Sequence, residues 1–214
     1  QYGLPVIEDG AQSLGASYKG RRSCGLSTIG CTSFFPAKPL GAYGDAGACL
    51  TDDADLAEAM REIRNHGQGT RYQHVRVGIN GRMDSLQAGV LLAKMTVFEN
   101  ELDRRNKAAK QYSDLLQKVA EAGWIKLPFL ATHNMSSWAQ YTVEVDHRES
   151  VQKKLLSAGI PTAVHYPLPV YAQPALLQDN LGHPNSENAA RRVMSLPMHP
   201  YLGISTQQEI AQSL

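Results

Sequence analysis

From Asp84 the sequence keeps a helical spacing of apolar residues until about Gly123, with Leu86, Val90, Ala93, Val97 and Leu102 on one face. At about 1.5 Å of rise per residue, such a helix is long enough to bridge two lobes. The rest of the chain is therefore expected on either side of it: a strand-rich large lobe over residues 1–85, a connecting helix over 86–123, and a small α+β lobe over 124–214. The length of 214 residues agrees, falling between one average domain of about 150 residues and two.

Composition narrows the class of function. With 43% hydrophobic and 19% charged residues, the chain reads as globular, not as a solvated tail. A formal net charge of +1 gives no global field for nucleic acid or an anionic membrane, so an anion must be bound locally. The three cysteines, Cys24, Cys31 and Cys49, are odd in number and lack metal-ligand spacing, which argues against a disulfide framework or a metal site and fits a reducing cytoplasm. No apolar run approaches the ~20 residues of a membrane span, and no basic segment followed by an apolar one opens the chain. The expectation is a soluble cytoplasmic protein. The chain enters the apolar run Leu4, Pro5, Val6, Ile7 within a few residues of Gln1, as though it began inside a domain.

Leu4 to Ile7, followed by Glu8, Asp9 and Gly10, reads as a short buried strand ending in a polar turn, where α/β proteins carry chemistry. Ile29 to Phe35 and Ala46 to Thr51 are further buried-strand candidates. Asp52 and Asp53 offer caps for a helix that stops at Gly67. In the last third, Trp138 to Val145 reads as a strand, Glu149 to Ala158 as a helix, Thr162 to Tyr166 as a strand, and a last helix begins near Thr206.

Several residues could carry chemistry, each with an ordinary alternative. Lys38 lies in the apolar stretch 34–41 with no adjacent carboxylate and with Pro36 and Pro39 fixing its backbone. Such an amine is a candidate to form a Schiff base with a carbonyl, or it snorkels to water. Asp9 either pairs with a protonated ring nitrogen, keeping a pyridoxal ring cationic, or caps a turn. Ser33 either donates to a phosphate or is a plain strand serine. Asn80 and Arg82 precede the long helix, where amide and guanidinium donors hold an anion or merely shape a turn. His165 and Tyr166 end the expected strand of the small lobe.

Order and spacing say more than any one of these. The run Val6-Ile7-Glu8-Asp9-Gly10-Ala11-Gln12-Ser13 comes first, followed by Ser33-Phe34-Phe35-Pro36-Ala37-Lys38-Pro39-Leu40-Gly41 and Gly44-Asp45-Ala46-Gly47-Ala48. Asn65-His66-Gly67, Asn80-Gly81-Arg82-Met83-Asp84 with Leu86-Gln87-Ala88, Gly159-Ile160-Pro161 and His165-Tyr166-Pro167 complete the series. Together they resemble the DegT-type (DegT/DnrJ/StrS) sugar-nucleotide aminotransferases, pyridoxal phosphate enzymes of fold type I, over nearly the whole chain.

The resemblance implies an α/β fold: a partial large domain with a mostly parallel sheet, plus a small α+β C-terminal domain. The N-terminal part of the large domain would lie ahead of the Gln1 position, so residues 1–85 would be its C-terminal part, and the 214 residues alone would bind cofactor weakly or not at all. The resemblance casts Lys38 as the cofactor-bearing lysine and proton shuttle, Asp9 as the partner of the pyridine nitrogen, Gln12 as packing at the ring, and Ser33 as a phosphate ligand. Asn80 would reach the phosphate of a neighbouring subunit, which implies a homodimer with shared active sites. Arg82, His165 and Tyr166 match positions associated with the sugar nucleotide.

Glutamate is the implied amino donor. The 34–41 and 71–78 stretches look most like those of enzymes acting on UDP-linked 3-oxo uronic acids, such as UDP-2-acetamido-2-deoxy-3-oxo-glucuronate, in O-antigen biosynthesis. Arg82 would then suit a carboxylate or diphosphate. A dTDP-linked neutral 3- or 4-keto sugar, or a non-catalytic binding module of the same fold, remains the alternative.

Overall fold

Short β-prone runs broken by turn residues give the first part of the chain its small strands, seen in a computed structural model that describes residues 2–176 and 182–214. In chain order these are β1 (Ile7–Asp9), β2 (Ser17–Tyr18), β3 (Arg21–Arg22), β4 (Ile29–Ser33) and β5 (Gly47–Leu50), followed by helix α1 (Ala54–Arg64), β6 (Gln68–Thr70) and β7 (Gln73–His74). Helix α2 (Ser85–Glu121) follows, then β8 (Ile125–Lys126), β9 (Asn134–Met135) and β10 (Tyr141–Val145). Helix α3 (Arg148–Ser157), α4 (Pro184–Arg192), β11 (Val193–Leu196) and α5 (Ile204–Ser213) complete the order.

The chain divides into two compact units, Gln1–Leu102 with Leu130–Ala139, and Asp103–Phe129 with Gln140–Leu214. In the first, β1, β4 and β5 form a three-stranded sheet in that order. Strand β1 pairs with β4 in parallel, with Asp9 opposite Cys31, whereas β4 and β5 are antiparallel. The sheet thus departs from the mostly parallel arrangement expected. Segment 34–46 returns the chain without a helical crossover, held by Phe34 N–H to Ala46 O (2.8 Å) and Ala42 N–H to Phe34 O (2.8 Å), and such a return makes the next strand antiparallel.

The strand expected over residues 4–7 begins at Ile7 instead, and it is not buried: Leu4, Val6 and Ile7 are 74%, 56% and 70% exposed. Strand β5 is also largely exposed. Among the described residues both strands are sheet edges, each with β4 as its partner, so their apolar side chains lack a second covering layer. Burial in this unit instead gathers around Leu40, Ala42 and Leu91, packed by Leu14, Phe34, Ala46, Met83 and Phe98. Helix α1 has the cap its sequence promises, since Asp53 accepts from the amides of Asp55 (2.9 Å) and Leu56 (3.0 Å).

In the second unit β10 is flanked by β11 and β8. Tyr112, Leu116, Tyr141, Val143, Val145, Leu155, Met194 and Ile210 form its interior. Burial pushes the Tyr112 phenol far up from its ordinary range, and its hydroxyl donates to Pro197 O at 2.9 Å. Two strand expectations shorten. Trp138 turns the chain with φ +45°, delaying β10 to Tyr141, and the segment 162–166 keeps a single bridge, Ala163 to Ser195. Pro161 and Pro167, which have no N–H of their own to extend a ladder, bracket that segment. No helix of the described residues is long and apolar enough to cross a membrane, and they contain no group of at least three His, Cys, Asp or Glu side chains arranged for a metal ion.

Candidate functional site

Parallel pairing of β1 with β4 puts the carboxyl ends of both strands at one edge of the sheet, the position at which open α/β sheets bind ligands. Asp9 is the last residue of β1 and Ser33 the last of β4, and Lys38 lies in the loop that leaves Ser33. Three of the residues singled out in the sequence therefore gather at one edge. Asp9 is exposed, and its Oδ1 accepts from Ala11 N–H at 3.0 Å, so it caps the turn that contains Gln12. Gln12 is exposed; its backbone carbonyl accepts from the buried hydroxyl of Ser137 at 3.0 Å. The Ser33 Oγ accepts from Phe35 N–H at 3.2 Å, which leaves its own hydrogen available for donation.

The loop bearing Lys38 is held from several sides. Lys38 N–H donates to Phe35 O at 2.9 Å, closing a turn over Pro36 and Ala37. Gly41 packs against that turn so closely that a Cβ there would lie 2.5 Å from Pro36 O. From α2, Lys94 Nζ donates to Gly41 O at 2.6 Å, and Gln87 Oε1 accepts from Tyr43 N–H at 2.8 Å. Pro39, Leu40, Gly41 and Ala42 are buried while Lys38 is half-buried. No carboxylate among the described residues forms an ion pair with Lys38.

Glu8, next to Asp9, has a structural task that its sequence position does not announce. Burial opposes its ionisation. The amides of Cys24 (2.7 Å) and Leu26 (3.1 Å), the Ser23 hydroxyl (3.0 Å) and the charge of Arg21 nonetheless hold its carboxyl below the ordinary 4.5. Glu8 thereby ties segment 23–26 to β1. Neither this contact nor the Lys94 clamp has a local signal, because the partners are 16 and 53 residues apart in sequence.

Asn80 and Arg82 lie together elsewhere in the same unit, on a segment fastened to the end of α1. Asn80 bridges Asn65, Gly81 N–H donates to Arg64 O at 2.8 Å, and Arg82 Nη1 donates to Asn65 Oδ1 at 3.3 Å. The Asn65-His66-Gly67 run is explained here: Gly67 has φ +74°, and a Cβ on it would strike Arg76 O at 1.8 Å. Asn80 and Arg82 are exposed. His165 and Tyr166 belong to the second unit and are exposed, with His165 Nδ1 3.4 Å from Ser195 Oγ.

Two cavities are lined by other residues than Asp9 and Lys38. One of about 710 Å³ in the first unit is lined by Cys31, Cys49, Met60, Arg64 and Met83, and one of about 940 Å³ in the second by Val119, Trp124, Ile125 and Val151. The chemistry of the edge, not the size of a hollow, singles it out, and among the described residues β1 has no strand on its outer flank. The donor set fits pyridoxal phosphate, pairing an exposed carboxylate with a ring N–H, a hydroxyl hydrogen with a phosphate, and an amine without an ion pair with a carbonyl.

Comparison with known proteins agrees. The profile of the DegT/DnrJ/EryC1/StrS aminotransferase family matches residues 1–214. UDP-2-acetamido-2-deoxy-3-oxo-D-glucuronate aminotransferase of Pseudomonas aeruginosa is 54% identical over 214 residues, 100% of this chain and 58% of that protein. The pleiotropic regulatory protein of Geobacillus stearothermophilus is 38% identical over 219 residues, covering 100% of this chain and 58% of its own. The crystal structure of S. venezuelae DesV in complex with a ketimine intermediate matches with a TM-score of 0.91 and 35% identity, over 99% of this chain and 57% of that one. The chain spans little more than half the length of these relatives, and over that whole span it belongs to the DegT/DnrJ/EryC1/StrS aminotransferase family.

Proposed function

We propose that the chain is the lysine-bearing part of a pyridoxal phosphate-dependent aminotransferase. It transfers an amino group from glutamate to a keto sugar nucleotide, UDP-2-acetamido-2-deoxy-3-oxo-glucuronate, in the cytoplasmic stage of O-antigen biosynthesis. The observation that carries this reading is the gathering of Asp9, Ser33 and Lys38 at the carboxyl end of the parallel β1–β4 pair. When bound, pyridoxal phosphate supplies a carbonyl that takes up the amino group and a cationic ring that accepts electron density.

The residues of the chain do the rest. Asp9 presents a carboxylate that holds the ring nitrogen protonated, and Ser33 gives a hydroxyl hydrogen to phosphate. Gln12 packs at the ring from the turn that Asp9 caps. Lys38 holds the cofactor and moves the proton in each half of the transfer; its fixed loop makes that proton transfer effectively intramolecular. Asn80 completes the phosphate site of a second copy of the chain, so the working unit is a homodimer with shared sites. Arg82, His165 and Tyr166 contact the sugar nucleotide, Arg82 through the planar fork that suits a uronate carboxylate or diphosphate. The sugar class is supported by the 54% identity to the Pseudomonas aeruginosa enzyme.

The 38% identity to a regulatory protein favours a second reading, a non-catalytic member of the family. One assay separates them. The full-length protein should aminate the UDP-linked 3-oxo uronate with glutamate, faster than dTDP-linked neutral keto sugars, and Lys38→Ala should lose at least about 10²-fold in steady-state turnover. Preference for the neutral sugar rejects the substrate assignment, turnover retained by Lys38→Ala rejects the role of Lys38, and no turnover with any sugar favours the regulatory reading.

A further inference from the structure

Cys31 and Cys49 are direct register partners in the antiparallel β4–β5 pair, with their Sγ atoms 3.8 Å apart. Directly opposed residues of such a pair have Cα atoms about 4.5–5.5 Å apart, inside the span of about 4.4–6.8 Å that a disulfide accepts. Bringing the sulfurs to about 2.05 Å therefore requires side-chain rotation and leaves the sheet in place. Both residues line the cavity of about 710 Å³, a route for a small oxidant; Cys49 is exposed and Cys31 half-buried. Cys24 differs from both. It is 3% exposed and packed against Gly10, where a Cβ would meet its Sγ at 2.3 Å.

We propose that Cys31 and Cys49 form a reversible dithiol–disulfide site that reacts with hydrogen peroxide. The exposed Cys49 sulfur attacks one peroxide oxygen, the O–O bond breaks, and water leaves a sulfenic acid behind. The Cys31 sulfur then attacks the Cys49 sulfur, the S–O bond breaks, and a second water departs. Two thiols give up two electrons and two protons, and the peroxide is reduced to two waters. Burial, the Cys49 thiol and the charge of Asp9 push the Cys31 thiol up from its ordinary 9.0, so the second step quickens as pH rises. The product ties β5 to the strand whose end carries Ser33. This assignment does not depend on the functional reading above.

Peroxide treatment of the native protein, alkylation of remaining thiols and mass spectrometry of chymotryptic peptides test it, since Leu26, Phe34 and Tyr43 separate the three cysteines. The expected product is a Cys31–Cys49 linked peptide, about two mass units lighter than its parts. Dithiothreitol should reverse it, and it should be missing from Cys49→Ser, a change at an exposed site that leaves the fold intact. A linkage through Cys24, a linkage between chains, or over-oxidation of Cys49 with Cys31 still open to alkylation would overturn the proposal.

Discussion

Glu8 and Lys38 lie at the same end of the first unit, yet the fold uses their charges in opposite ways. Glu8 is saturated by the Cys24 and Leu26 amides and the Ser23 hydroxyl, whereas Lys38 has its backbone fixed and no ion pair among the described residues. Because the Glu8 carboxyl is held below its ordinary 4.5, it stabilises the fold fully above that value, and the contribution drains away as pH falls through the lower folded value. Thermal melts of wild type and Glu8→Gln should differ by a constant margin above about pH 5.5, with wild type the more stable, and the margin should shrink as pH falls below 4.5. Parallel curves across that range would show that the Glu8 charge does not anchor segment 23–26. The acidic pair Glu8-Asp9 was plain in the sequence, but the division of labour within it was not, since it depends on partners from residue 23 onward.

At the scale of elements, the return from β4 to β5 is a loop clamped by α2. Gly41 fits beneath Pro36 because it has no side chain, and Lys94 and Gln87 reach the loop from the first turns of the helix. Gly41→Ala should cost about 1–3 kcal/mol by overpacking, and Lys94→Met about 1 kcal/mol by leaving the Gly41 carbonyl without its donor. Urea denaturation measures both, and an unchanged midpoint in Lys94→Met would contradict the clamp. Helix α1 was legible because its cap, Asp53, sits beside the turn it serves, and the long periodic run from Asp84 marked α2 within a few residues. The 162–166 strand was misjudged because prolines at either side matter more than its β-branched residues, and β1 and β5 because burial depends on neighbours that local pattern cannot count.

Across the whole molecule, a net charge of +1 leaves recognition to local polar groups, and the residues of the proposed site are distributed unevenly. Asp9, Gln12, Ser33, Lys38, Asn80 and Arg82 belong to the first unit, His165 and Tyr166 to the second. The order of the motifs told more about the site than any individual residue. Aspartate ending a strand, serine ending its parallel neighbour and lysine on the next loop become one edge only once β1 and β4 pair. In the proposed function this edge offers a carbonyl cofactor one amine, that of Lys38. The decisive experiment incubates the full-length protein with pyridoxal phosphate, reduces with borohydride and maps the label. A phosphopyridoxyl group is expected on the peptide containing Lys38 and is lost in Lys38→Ala; label spread over surface lysines, or none on a folded protein, overturns the assignment of Lys38.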